Sequence, residues 1–373
     1  MLTKNNLAGA ERPNPRLIAF YLPQYYPIPE NDTWWGKGFT EWTNVVKAGP
    51  VFAGHYQPHL PADLGFYDLR LAEARAAQCE LAREHGIHGF CYYHYWFSGR
   101  RLLERPVNEM LASREPDFPF CLCWANESWT RRWDGRNQEI LLEQRYAAED
   151  DVAHIRSLIP AFEDARYIRV DGKPLFLVYH STEMPDSRAT TYRWRREAER
   201  AGLPGLYLVR VESFEEQLEP QERGFDAGLE FQPFGGAMAA ARLHRFKWWQ
   251  RQKLRTRSAV FNEHSVYSYA ELVNAACQLP EPAYPWIRSV CPSWDNTARR
   301  KKGGVIFHGS TPDLFEKWVA AIVGRISRQE NNPGGSKPIL FVNAWNEWAE
   351  GNHLEPCQRW GRDYLEAIKR AIS

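Results

Sequence analysis

Pro338-Ile339-Leu340-Phe341-Val342-Asn343-Ala344-Trp345-Asn346-Glu347-Trp348-Ala349-Glu350-Gly351-Asn352-His353-Leu354-Glu355-Pro356 begins as a short apolar run and then turns polar and aromatic. The run from Ile339 to Val342 carries no polar alternate, which suits a strand covered on both faces. The polar part sets Glu347 and Glu350 three residues apart, among Trp345, Trp348 and asparagines. Two glutamates on an ordinary loop would be solvated and inert. At the end of a buried strand, with rings beside them, they are a candidate acid pair, because paired carboxylates in an aromatic setting are what sugar chemistry uses.

Outward from this stretch the same pattern recurs. Apolar strand signals occupy residues 16–24, 89–97, 119–127, 174–180, 206–212, 227–233, 286–295 and 338–342. Helical signals alternate with them: Tyr67 to His85 stopped by Gly86, Leu102 to Ser113, Asp150 to Phe162, Thr190 to Ala201 stopped by Gly202, and Arg362 to Ile372. Pro312 to Ser327 opens on Thr311 as a cap with proline at its first position. Eight apolar strands alternating with helices predict an α/β fold, a (β/α)8 TIM barrel with long loop insertions in a single domain. A doubly wound sheet would show a glycine-rich phosphate turn after an early strand, and none is present. Residues 1–15 are polar and predict a flexible N-terminal segment; 16–373 form the barrel, with an insertion at about 236–285.

The chain has 373 residues, 44% hydrophobic and 25% charged, with a net charge of +1. That balance predicts a globular protein with an ample core, and no nucleic-acid role from overall charge. Its 16 Trp, 17 Tyr and 19 Phe exceed what a core needs. Aromatic faces stack on sugars and on bases alike, so composition does not separate the two. Seven cysteines show no framework spacing, and Cys121 and Cys123 read as two small buried residues on one strand face. No metal site and no cofactor are expected. The absence of a signal-like or membrane-length apolar run predicts a cytoplasmic protein with reduced thiols.

In a barrel the functional groups gather at the carboxyl ends of the strands. Here those ends offer Tyr21 and Gln24; Tyr93, His94, Tyr95 and Trp96; Trp124, Asn126 and Glu127; Tyr179 and His180; Glu212; Glu230 and Gln232; Trp294 and Asp295; and Asn346 with Trp348 around the glutamate pair. Trp42 joins them from the long Trp- and Gly-rich connection at residues 27–66. Their convergence carries more weight than any one of them. Tyr21, Gln24, Trp42, Tyr93, His94, Trp96, Trp124, Asn126, Glu127, Trp294, Asn346 and Trp348 are therefore the expected substrate-binding residues.

At these residues a resemblance becomes specific. Trp345-Asn346-Glu347-Trp348-Ala349-Glu350-Gly351 with Leu354-Glu355-Pro356 resembles the glutamate motif of glycoside hydrolase family 99, the endo-α-mannosidase group. From Phe20 to Leu365 the chain is still more similar to WbsX-type proteins of bacterial polysaccharide gene clusters. Tyr21-Leu22-Pro23-Gln24, Trp34-Trp35-Gly36-Lys37-Gly38-Phe39-Thr40-Glu41-Trp42-Thr43-Asn44, Trp124-Ala125-Asn126-Glu127 and Trp129-Thr130-Arg131-Arg132-Trp133 carry that similarity. Tyr26, Ser128 and Cys357 depart from it. The resemblance implies a metal-free, retaining reaction in which Glu347 draws the proton from the sugar's own 2-hydroxyl and Glu350 is acid, then base. It implies a bacterial polysaccharide or oligosaccharide as substrate, for a hydrolase or transglycosidase. Two alternatives stand beside it: a WbsX-type glycosyltransferase of O-antigen or capsule assembly, and a non-catalytic glycan-binding barrel. The basic stretch 242–257, with Lys247-Trp248-Trp249, reads either as a solvated helix face or as a contact for a membrane surface or lipid-linked glycan.

Overall fold

The computed structural model describes residues 14–131, 136–213, 218–241, 263–328 and 337–373. The basic stretch 242–257 lies outside them, as do Arg132, Trp133 and all of the N-terminal segment before residue 14.

Eight parallel strands form a closed ring: β1 (Arg16–Tyr21), β2 (Ile87–Phe97), β3 (Phe120–Trp124), β4 (Lys173–Val178), β5 (Tyr207–Glu212), β6 (Ala227–Glu230), β7 (Trp286–Val290) and β8 (Ile339–Val342). Each pairs with its sequence neighbour, and β1 closes the ring by pairing with β2 on one side and β8 on the other. In register, Ala19 faces Val342 across one seam and Phe20 faces Cys91 across the other. The strands are apolar throughout because the ring is filled inside and covered by helices outside.

The filling is aromatic. Phe20 lies 5.5 Å from the Tyr93 ring, 5.5 Å from Phe231 and 5.2 Å from Phe341. These rings come from β1, β2, the end of β6 and β8, so they meet across the interior. Side chains alternate along a strand; Phe20 pointing in therefore turns Tyr21 out toward the helices.

Those helices are α1 (Ala72–Glu84), α2 (Arg105–Ser113), α3 (Ala148–Glu163), α4 (Ser187–Arg200), α5 (Tyr269–Gln278), α6 (Pro312–Ile326) and α7 (Asp363–Ile372). Caps fall where short polar residues precede them. Asp186 accepts from the Ala189 amide, Ser268 from Glu271, and Thr311 from Leu314 with Pro312 following. Gly202 ends the turn after α4 at φ +87°, a backbone that favours glycine.

The structure departs from the expected elements at two places. Helix α1 starts at Ala72 rather than at Tyr67, because the Leu69 amide is bonded to the Tyr25 carbonyl and the chain is still extended there. Strand β7 stops at Val290; Trp294–Asp295 instead joins a separate three-stranded sheet with Val305–His308 and Ser265–Ser268. The expected insertion at 236–285 includes the helix Gly236–Ala241 and α5, the barrel helix between β6 and β7.

Candidate active site

A cleft of about 320 Å³ opens at the carboxyl ends of the strands. The stretch after β8 forms one wall. Asn346–Glu347 pairs antiparallel with Asn352–His353, and Trp348–Glu350 makes a single tight turn between them. The turn closes on Gly351 at φ +56°, where a Cβ would come 3.1 Å from the Asp295 backbone oxygen, so a side chain would be both strained and crowded. Asn346 splints this hairpin to the end of β1: its side chain accepts from the Leu22 amide at 2.7 Å and donates to the Leu22 carbonyl at 3.0 Å. The hairpin is thereby rigid, and Glu347 and Glu350 both line the cleft.

Arg299 joins them. It follows the short turn Asn296–Ala298 in the loop after β7. Its Nη2 donates to Glu347 Oε2 at 2.9 Å, its Nη1 pairs with Glu350 Oε1 at 2.7 Å, and its Nε donates to Glu41 Oε1 at 2.7 Å. The other oxygen of Glu347 and of Glu350 has no hydrogen-bond partner among the described residues. Burial raises the pKa of Glu347; Arg299 opposes the rise, and the charges of Glu350 and Glu41 add to it. Glu350 is raised in the same way, by burial first and by Glu41, against Arg299 and Arg300. Burial alone would weaken the charge of Arg299, but the three carboxylates outweigh it and hold its pKa well above the ordinary value.

The opposite side carries Glu127, ion-paired with His180. Asn126 sits behind that pair; it donates to the His180 carbonyl at 2.7 Å and accepts from the His180 amide at 2.8 Å. Tyr93, Tyr95, Tyr179, Trp129 and Trp294 supply ring faces, and Trp34 and Trp35 reach in from the first connection. Gln24 Nε2 and Trp294 Nε1, both on lining residues, are buried donors with no hydrogen-bond partner among the described residues.

Six of the expected residues thus meet in the cleft: Gln24, Tyr93, Glu127, Trp294, Glu347 and Glu350. The other eight do not line it, and four of them fail for one reason, the two-residue alternation of strands. Tyr21 points outward and donates to Gln78 on α1 at 2.7 Å. His94 points outward to His154 on α3, 2.9 Å away. Trp96 follows it, stacked on His154 and donating to Asp150. Trp124 is buried between His154 and Trp194. Trp42 donates to the Tyr67 carbonyl and packs on Tyr25 and Trp348. Trp348 stacks on His353 and donates to Glu355 at 2.6 Å. Asn126 and Asn346 are the buried splints already described. Tyr95 and Arg299 line the cleft outside the expected set, and Glu41 stands behind Arg299. Tyr95 stands among the strand-end residues of the sequence but not in the substrate-binding set, although its even spacing to Tyr93 puts the two on one face; nothing in the sequence marks Arg299.

Among the described residues no group of three or more His, Cys, Asp or Glu could hold a metal ion, and no helix is long and apolar enough to cross a membrane. All seven cysteines are free thiols.

The structure is similar to two solved proteins. One is a glycoside hydrolase-like protein, 15% identical, with a TM-score of 0.58 over 100% of this chain and 98% of that one. The second is the GH99 endo-alpha-mannosidase of Bacteroides thetaiotaomicron, 15% identical, with a TM-score of 0.52 over 96% of this chain and 95% of that one. At that identity the likeness is one of fold. In sequence, the protein WxcX of Xanthomonas campestris pv. campestris (strain B100) is 42% identical over 359 residues, 96% of this chain. The same alignment covers 49% of WxcX, so the chain spans about half the length of the curated relatives it matches. A family model described as Glycosyltransferase WbsX matches residues 17–368. With nearly its whole length matched, this chain belongs to the WbsX glycosyltransferase family.

Proposed function

We propose that this chain is a carbohydrate-active enzyme that remakes or breaks glycosidic bonds of a polysaccharide or oligosaccharide in the barrel cleft, with Glu347 and Glu350 as its reacting pair. The observation that carries this is the hairpin after β8: it directs both carboxyl groups into one cleft, each with one oxygen on Arg299 and the other open. Family membership supports glycan chemistry, and the fold shared with glycoside hydrolase-like proteins is compatible with it.

The steps follow from the resemblance and the geometry. Sugar rings stack on the tyrosine and tryptophan faces, and hydroxyl groups satisfy the unpaired donors of Gln24 and Trp294. Glu347 takes the proton of the 2-hydroxyl as that oxygen attacks the anomeric carbon. Glu350 gives its proton to the leaving oxygen as the glycosidic bond breaks. The product is a 1,2-anhydro sugar. Glu350 then draws a proton from the incoming hydroxyl, whose oxygen opens the three-membered ring at the anomeric carbon. Glu347 returns its proton to O2, and configuration is retained. Burial raises both groups, Glu347 to about 8 and Glu350 in the same direction, so Glu347 is a stronger base when ionised and the protonated form of Glu350 is favoured relative to an exposed glutamate. Water as the incoming hydroxyl gives hydrolysis; a sugar hydroxyl gives transfer.

The test is incubation of the purified chain with bacterial polysaccharides, α-mannosides, and nucleotide sugars paired with lipid-linked acceptors, with products read by mass spectrometry and anomeric configuration by NMR. Retention, with loss of turnover in both Glu347→Gln and Glu350→Gln, is the expected result. Consumption of nucleotide sugars alone would overturn it in favour of a nucleotide-dependent glycosyltransferase. Glycan binding without turnover, undiminished in both variants, would leave a non-catalytic barrel.

A further inference from the structure

Glu41 touches no part of the cleft, yet it is built into the site. It lies just before the short helix Trp42–Val45 and is fully buried. One oxygen takes the Arg299 Nε hydrogen at 2.7 Å and lies 3.5 Å from the Asn44 amide nitrogen. The other, Oε2, is buried with no hydrogen-bond partner among the described residues. A half-satisfied buried carboxylate is unfavourable. Glutamine would offer Arg299 the same acceptor from the same place. What glutamate adds at this position is charge, and that charge sits on the third edge of a guanidinium whose other two edges hold the reacting pair.

The guanidinium is planar with its donors in a rigid fork. Anchoring Nε therefore sets the plane, and the plane sets the directions in which Nη1 and Nη2 hold Glu350 and Glu347. We propose that Glu41 is a positioning residue: it aims the Arg299 fork at the two reacting carboxyl groups and, as a third negative charge on one cation, makes that pair retain the proton the acid step needs. This rests on the reading of Glu347 and Glu350 as the reacting pair. The groups facing the pair are Arg299 and Arg300 from the loop after β7, Glu41 and Tyr25 from the first connection, Tyr93 and Tyr95 from β2, and Tyr179 beyond β4. Burial keeps those phenols protonated, so the balance lies between the three carboxyl groups and the two arginines.

The test needs no substrate. Glutamate labelled with 13C at the side-chain carboxyl reports each ionisation by NMR, and Glu347→Gln and Glu350→Gln assign the two signals. In the wild type, one proton is expected to stay on the Glu347–Glu350 pair well above the ordinary carboxylate range. Glu41→Gln should shift the titrations of Glu347 and Glu350 to lower pH; titrations left where the wild type has them would overturn the proposal. Arg299→Lys, which keeps the charge but cannot touch three carboxylates at once, should shift them upward. Should Glu41→Gln fail to fold by circular dichroism, the wild-type titration still decides: Glu347 and Glu350 both ionising in the ordinary range would overturn the role. With a turned-over glycan, the basic limb of kcat/KM against pH should move down in Glu41→Gln, whereas a merely structural residue would lower the rate and leave the limb in place. A failed titration shift leaves the glycan chemistry standing; an active Glu350→Gln removes that chemistry whatever the titration shows.

Discussion

The hairpin region after β8 carries three glutamates within nine residues of one another, and they lead different lives. Glu347 and Glu350 meet a cation on one side and an open cleft on the other. Glu355 is sealed in. It accepts from Tyr67 at 2.8 Å, Gln78 at 2.7 Å and Trp348 at 2.6 Å, all uncharged donors, and burial pushes its pKa up to about 7. The contrast separates two uses of a buried acid. A carboxyl group with every direction filled by neutral donors ties elements together. One with a single charged partner and an unfilled direction is poised to exchange a proton.

That contrast can be broken at either end. Glu350→Gln should lower turnover by roughly 10²–10⁴-fold, the usual contribution of a positioned acid–base group, while the melting curve stays put. An unchanged rate would place the acid elsewhere. Glu355→Leu should do the reverse, stranding the Tyr67 hydroxyl, the Gln78 amide and the Trp348 indole for a loss of about 3 kcal/mol in urea unfolding. Glu355→Gln should recover part of that loss.

The pH dependence of stability sharpens the same point. Between the ordinary glutamate value and about 7, folded Glu355 keeps a proton that the unfolded chain has released. Stability should therefore fall as pH rises through that window and level off above it, and Glu355→Gln should flatten the slope. A slope unchanged in that variant would assign it to Glu347 and Glu350, whose raised values act with the same sign. The smallest effect is expected at Trp96. Trp96→Phe removes the bond to Asp150 outside the barrel, for about 1 kcal/mol, with turnover unaltered. A clear loss of turnover would mean that the outer layer of β2 reaches the chemistry.

Strand β2 shows why the site was only half legible. Tyr93, His94, Tyr95 and Trp96 are equally suggestive as residue types. Alternation sends Tyr93 and Tyr95 into the cleft and His94 and Trp96 against α3. Composition carries no parity; one residue known to face inward supplies it for the whole strand. Trp42 and Trp348 mislead differently. They belong to the right loops, but those loops fold back and use the rings to pack on one another, 5.6 Å apart, beneath the cleft.

The barrel itself was written in the order of apolar runs, caps and stops, because those signals are local and each strand buries both faces whatever its partners are. That Glu347 and Glu350 line the cleft was legible for a similar reason, since they directly follow the last strand of the barrel. Arg299 was not. It reaches Glu347 and Glu350 from 48 residues or more away in the chain, and Glu41 from 258. An arginine in a polar loop is no different in sequence from one in water. Only the closed ring brings the loop after β7 against the hairpin after β8 and the first connection, and so decides which cation and which third acid meet Glu347 and Glu350.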